Sequence, residues 1–124
     1  MIVFLPHKEE SHRDHKNCHL LALEAVNRAG ELFFQTSKGK PWTVKTILCY
    51  EVWTPLTAIS YIEDITDFIA LKVEAMAQHQ SQIHRIPFDE AIRNFNRYRG
   101  IMTGEGDFCE CFQLLRFGGK LVLK

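Results

Sequence analysis

The chain has 124 residues, a mass of 14.4 kDa, and 15 Lys+Arg against 15 Asp+Glu. That length bounds it to one domain, residues 1–124, and 46% hydrophobic with 24% charged residues is the mix of a globular chain rather than a disordered one. The zero charge balance argues against a strongly basic nucleic-acid binder, and the longest apolar stretches fall far short of the ~20 residues of a membrane span, so neither nucleic acid nor a membrane span is expected.

Ile2 to Leu5 is a wholly apolar, partly β-branched run, which predicts a strand buried on both faces, as in a parallel sheet. The opening Met1–Leu5 lacks a basic start and stops at Pro6, so no secretory signal is read there. After a polar loop from Pro6 to Ser11, Cys18, Leu21, Ala22, Ala25, Val26 and Ala29 recur at spacings of three and four, one apolar stripe of a helix. Ser11 with Asp14 three residues on resembles a capping box with Asp in place of Glu. Gly30 ends the regular pattern, Leu32 to Phe34 could continue the packing, and Ser37–Pro41 reads as a turn. Val44 to Tyr50 predicts a second strand and completes a right-handed, parallel βαβ unit. Asp64 is read as the cap of a helix whose apolar side is Ile65, Phe68, Ile69, Val73, Met76 and Ala77. Pro87 suits the first turn of a third helix with Phe88, Ala91, Ile92, Phe95 and Tyr98 inward and Gly100 as its stop. Phe108 to Leu115 reads as a strand, and residues 120–124 are left unassigned. About three strands are visible, so an α/β fold with a mostly parallel, incomplete sheet is expected: half of a larger domain, or a subunit that completes its sheet with a partner.

The four cysteines, at 18, 49, 109 and 111, do not have zinc-ribbon spacing. Cys109 and Cys111 alternate on the last strand and read as a buried pair of small apolar residues, so a reduced, cytoplasmic protein is the default. His12, His15 and His19 lie at i, i+3 and i+7 of a helix starting at Ser11, with Asp14 among them. The first turn of a helix opposes protonation of histidine, neutral imidazole is the metal-binding form, and open α/β sheets place sites where a strand leads into a helix. Ser11–His15 is therefore a candidate metal and acid–base site, against the plainer reading that Asp14 serves the cap and His19 the packing. Glu51 and Trp53 follow the second strand, where they would line a sugar cleft or simply pack the loop. Arg93, Arg97 and Arg99 beside Glu90 read as a solvated helix face.

The stretch Phe4-Leu5-Pro6, Ser11-His12-Arg13-Asp14-His15-Lys16-Asn17 and Leu23-Glu24-Ala25 resembles the second motif, His-Pro-Asp-His, of the LmbE-like (PIG-L superfamily) zinc-dependent N-deacetylases. Tyr50–Leu56, Asp64-Ile65-Thr66, Lys72–Met76 with His79–Gln82, and Asn96–Gly100 resemble further segments of that family, in order. Phe108-Cys109-Glu110-Cys111-Phe112 is similar to its Tyr-Ala-Glu-Ala-Phe pattern, with Cys at both Ala positions.

The resemblance implies a Rossmann-like three-layer sandwich, present in part. It implies His15 as a zinc ligand, His12 as the histidine that protonates the leaving amine or polarises the amide carbonyl, and Asp14 as the carboxylate that orients it. Arg13 stands where the family more often has Pro. The family's first motif, Ala-His-Pro-Asp-Asp-Glu, which supplies the other zinc ligands and the general base, has no match in the chain. The chain thus resembles the C-terminal half of such an enzyme, and three expectations follow. It deacetylates an N-acetylglucosamine-type conjugate as that portion and is inactive alone. It holds zinc only with ligands from outside this chain, supplied by the missing half or a homo-oligomeric partner. Or it is a non-catalytic sugar-binding or assembly module that keeps the scaffold.

Overall fold

A computed structural model of the protein describes residues 1–31, 33 and 40–118. The readings placed on residues 32–34, 37–39 and 120–124 fall wholly or partly outside these. The elements are β1 (Ile2–Pro6), α1 (Arg13–Gly30), β2 (Thr46–Tyr50), β3 (Tyr61–Asp64), a 3-10 turn (Thr66–Phe68), α2 (Ile69–Ala77), α3 (Gln80–Ile83), α4 (Phe88–Thr103) and β4 (Cys109–Arg116). The strand order is β1-β2-β4-β3. β1 pairs with β2 in parallel, from Ile2 opposite Thr46 to Pro6 opposite Tyr50, and α1 is the crossover between them. β4 is antiparallel to β2, with Phe112 opposite Tyr50. The α/β class stands, but the sheet is mixed where a mostly parallel one was expected. The reason is topological: β4 enters beside Tyr50, the end at which β2 leaves, so no crossover is made.

The described chain forms two compact units, one of Met1–Tyr61 with the stretch from Phe112 onward, the other Ile62–Cys111. The core of the first is Leu5, Val26, Val44, Ile47 and Cys49, with Val3, Ala22 and Leu23 packed on it. Side chains alternate along a strand, so Val3 and Leu5 of β1 and Ile47 and Cys49 of β2 share this face. Ile2 and Phe4 point the other way and are 51% and 54% exposed, which corrects the expectation that β1 is buried on both faces. The Phe112 ring lies 5.7 Å from Phe4 and 5.9 Å from Tyr61 on that side.

The inner face of α1 is also displaced from the apolar stripe. His19 and Val26 are buried, whereas Cys18 is exposed and Leu21 is 71% exposed. Polar bonds set this phase: His19 donates Nδ1–H to the carbonyl oxygen of Pro6 at 2.7 Å, and His15 is bonded one turn earlier, so two histidines occupy the inner face. Near the other end, the Arg116 guanidinium donates to the Val44 carbonyl at 3.2 Å and to Asn27 Oδ1 at 3.0 Å.

In the second unit Ile65 and Ile69 are buried. The buried residues of α4 are Asn96, Arg99 and Gly100, while Tyr98 is exposed. Asn96 donates to the Cys109 carbonyl at 2.7 Å and accepts from Lys72 Nζ at 2.9 Å, and Lys72 also pairs with Glu110. Arg99 is therefore not part of a solvated face, although Arg93 and Arg97 stack over the exposed side of Phe108 at 5.2 and 5.6 Å. Nor does Gly100 stop the helix. A Cβ there would lie 2.5 Å from the Asp107 carbonyl oxygen, so the glycine serves close approach, and the helix ends at Gly104, whose φ of 73° favours glycine. Cys109 and Cys111 are both buried, as the alternation predicts. No helix among the described residues is long and apolar enough to cross a membrane.

The displaced phase of α1 gives a direct check. Val26→Ala is expected to cost about 2 kcal/mol of unfolding free energy, and Leu21→Ala less than about 0.5 kcal/mol, by denaturant titration; the apolar stripe alone would rank them equal. Gly100→Ala is expected to lower stability by about 1–3 kcal/mol, because backbone rather than a flexible side chain blocks the added carbon.

Candidate functional site

The site is built where β1 runs out into α1. Glu10, in the connecting loop, has a fully buried side chain. It accepts backbone N–H bonds from Trp53 at 3.0 Å and from Thr54 at 2.5 Å, and the Nδ1–H of His15 at 2.8 Å. Burial pushes its pKa up, but the bonds from His15, Trp53 and Thr54 outweigh that and hold it at about 2, against 4.5 for an ordinary glutamate. Thr54 is used three times: its N–H goes to Glu10, its Oγ1 accepts from the Ser11 N–H at 2.9 Å, and its carbonyl accepts the Nε2–H of buried His7 at 2.7 Å. The loop before α1 and the loop after β2 are thereby laced together. A groove of about 470 Å³ opens beside this lacing, with His7, Thr54, Leu56 and Gln113 in its wall.

The helix begins at Arg13, not Ser11. His12 is its N-cap, with extended backbone, and His12 Nδ1 accepts the Asp14 N–H at 3.3 Å; no Ser11–Asp14 capping box forms. The His12 and His15 rings lie 4.9 Å apart, inclined at 42°. His15 is partly exposed at 28%, and its Nδ1 is occupied by Glu10, which leaves Nε2 as the outward atom.

Of the residues singled out in the sequence, His12, Asp14 and His15 are thus brought together on the first turn of α1, Asp14 meeting His12 through its backbone N–H. Trp53 joins through its own backbone N–H on Glu10, and the residue as a whole is 45% exposed. The Glu51 carboxylate accepts from the Leu56 N–H and closes its own loop. His19 lies buried against Pro6, a packing histidine. The residue that the sequence reading missed is Glu10. Its only sequence signal is an acid at the mouth of an apolar strand, five positions before a candidate ligand histidine that needs a partner for its second nitrogen.

A zinc centre takes three or four protein ligands. Among the described residues no group of three His, Cys, Asp or Glu side chains could hold a metal ion. A single imidazole by itself does not make a zinc site.

No protein-family profile matches the chain. Solved structures do. The conserved protein TT1542 from Thermus thermophilus matches 98% of this chain at 30% identity and a TM-score of 0.83, over 53% of its own length. N,N'-diacetylchitobiose deacetylase from Pyrococcus horikoshii, solved with an inhibitor, matches 92% at 29% identity and a TM-score of 0.72, over 45% of its length. GalB, the 4-carboxy-2-hydroxymuconate hydratase from Pseudomonas putida, matches 99% at 16% identity and a TM-score of 0.67, over 55% of its length, a likeness of fold alone. The chain spans about half the length of these proteins.

Because the folded pKa of Glu10 is depressed, the stability it confers is present above the ordinary glutamate value and is lost as pH falls from 4.5 toward about 2. Unfolding free energy measured across that window is expected to drop, and to drop less steeply in Glu10→Gln. An equal slope in the two proteins would remove Glu10 from the account.

Proposed function

We propose that this chain contributes part of the site of a metal-dependent N-deacetylase of the LmbE-like (PIG-L) superfamily, which hydrolyses the acetamide of an N-acetylglucosamine-type conjugate to acetate and a free amine. The observation that carries the reading is the His12–His15 pair, held at the start of α1 after the loop that leaves a parallel strand, in a chain 29% identical to a diacetylchitobiose deacetylase over 92% of its length. Four free cysteines suit a reduced, cytoplasmic setting.

Within this reading His15 Nε2 is this chain's share of a zinc site whose remaining ligands come from outside these 124 residues. His12 faces the acetamide and donates a proton or hydrogen bond to its oxygen or to the departing nitrogen. Asp14 fixes the cap from which His12 projects. Trp53 and Glu51 border the sugar. A second reading is a non-catalytic sugar-binding or assembly module, since among the described residues no group of three His, Cys, Asp or Glu side chains could hold a metal.

Mixing separates the two. The chain alone is expected to release no acetate from N,N'-diacetylchitobiose, and to gain zinc uptake and acetate release when combined with a polypeptide matching the rest of the Pyrococcus horikoshii enzyme. In the mixture His15→Ala should abolish zinc uptake, while His12→Ala should keep zinc and slow turnover by about 10²–10⁴-fold. If no mixture gains activity while the chain alone binds the sugar, the binding-module reading replaces this one.

A further inference from the structure

We infer that the fold holds His12 and His15 in opposite tautomers, with Glu10 as the positioning residue, so that the two rings present one hydrogen-bond donor and one lone pair side by side. The inference deepens the proposed function and rests on its assignment of the site to these two histidines. It stands on the bonds themselves. A neutral imidazole carries one N–H, and whichever nitrogen is engaged decides what the other offers. His15 Nδ1 faces Glu10, whose two oxygens also accept the Trp53 and Thr54 backbone N–H groups, so the side chain acts as an acceptor, Nδ1 carries the hydrogen and Nε2 is left as the lone pair. His12 Nδ1 faces a backbone N–H, which only donates, so here Nδ1 is the acceptor and Nε2 carries the hydrogen outward. With the rings 4.9 Å apart, the pair is complementary to a ligand that offers an electrophile or a proton at one atom and an acceptor oxygen at the next. A water molecule beside an amide carbonyl is a group of that class.

The arrangement around Glu10 makes the inference sharp. Its Oε1 takes the Thr54 N–H and its Oε2 takes His15, with the Trp53 N–H between them. Glutamine has the same shape but only one acceptor atom. In Glu10→Gln the amide oxygen goes to the side where the backbone N–H groups converge, and the amide donors turn to His15. His15 then accepts at Nδ1 and carries its hydrogen on Nε2, so the outward lone pair is lost without any change in side-chain size. His12 is untouched, because the Asp14 N–H sets its tautomer.

The test is long-range ¹H–¹⁵N correlation on the ¹⁵N-labelled full chain, in chelator, at a pH where the imidazoles are neutral. Expected in the parent protein are a protonated Nδ1 and bare Nε2 on His15, and the reverse on His12. Expected in Glu10→Gln is reversal at His15 alone, with the backbone amide spectrum of α1 retained. A parent His15 protonated at Nε2, or a folded Glu10→Gln in which His15 keeps its tautomer, overturns the inference. The parent measurement decides even if the variant does not fold. Neither measurement involves acetate release, so the tautomers can stand where the deacetylase reading fails, and the reverse.

Discussion

A carboxylate removed from water must be met by donors, and an uncompensated buried charge costs several kcal/mol. Glu10 meets that requirement with two backbone N–H groups from the loop after β2 and one imidazole from α1. Three segments are therefore committed at once: the loop before the helix, the first turn of the helix and the loop after the second strand, more than forty residues on. The bonds are charge-assisted, and none of the partners can turn away without stranding the charge. The ring orientation of His15, the position of Trp53 and the placing of Thr54 beside the groove all follow from this one group.

The same constraint explains why α1 lies as it does. An apolar count places Cys18 and Leu21 inward, yet His19 and Val26 are the buried residues. Helices bury a face, but polar residues choose the face when each has a specific partner, and a hydropathy pattern does not weigh that. The βαβ unit was legible because β-branched runs flank an amphipathic segment at the right spacing. The buried Cys109 and Cys111 were legible from strand alternation. β3 was not, since Tyr61–Asp64 is four residues with mixed polarity and its burial is slight. The direction of β4 was not legible either, because a sequence does not tell at which end of the sheet a long excursion returns. Gly100 was misread for a related reason: a glycine that ends a helix and one that admits another backbone look alike in sequence.

In the site, the histidine spacing carried over because i and i+3 place two side chains on neighbouring positions of a first turn. Glu10 was hidden because two of its three partners lie 43 and 44 residues away and are backbone atoms, which have no residue type. Trp53 was singled out for its indole, yet its binding contribution to this network comes from its N–H. The Glu51 carboxylate bonds within its own loop, five residues on, a local satisfaction that a position after a strand does not disclose.

A fold shared at 16% identity with a hydratase and at 29% with a deacetylase does not choose a reaction. Within this chain the two histidines are held differently. His15 is fixed by a 2.8 Å bond to a buried charge, and its free nitrogen has one direction. His12 sits on an exposed cap with a longer, 3.3 Å bond to a backbone N–H. A metal ligand or a base works only when its lone pair is aimed before the partner arrives, since misaim by an ångström loses the interaction. A proton donor to a departing group works better when it can follow that group as the bond lengthens. On the inferred tautomers, the tightly bonded member of the pair would offer the lone pair and the more loosely bonded member the hydrogen, so geometry and polarity would be matched in the same two residues.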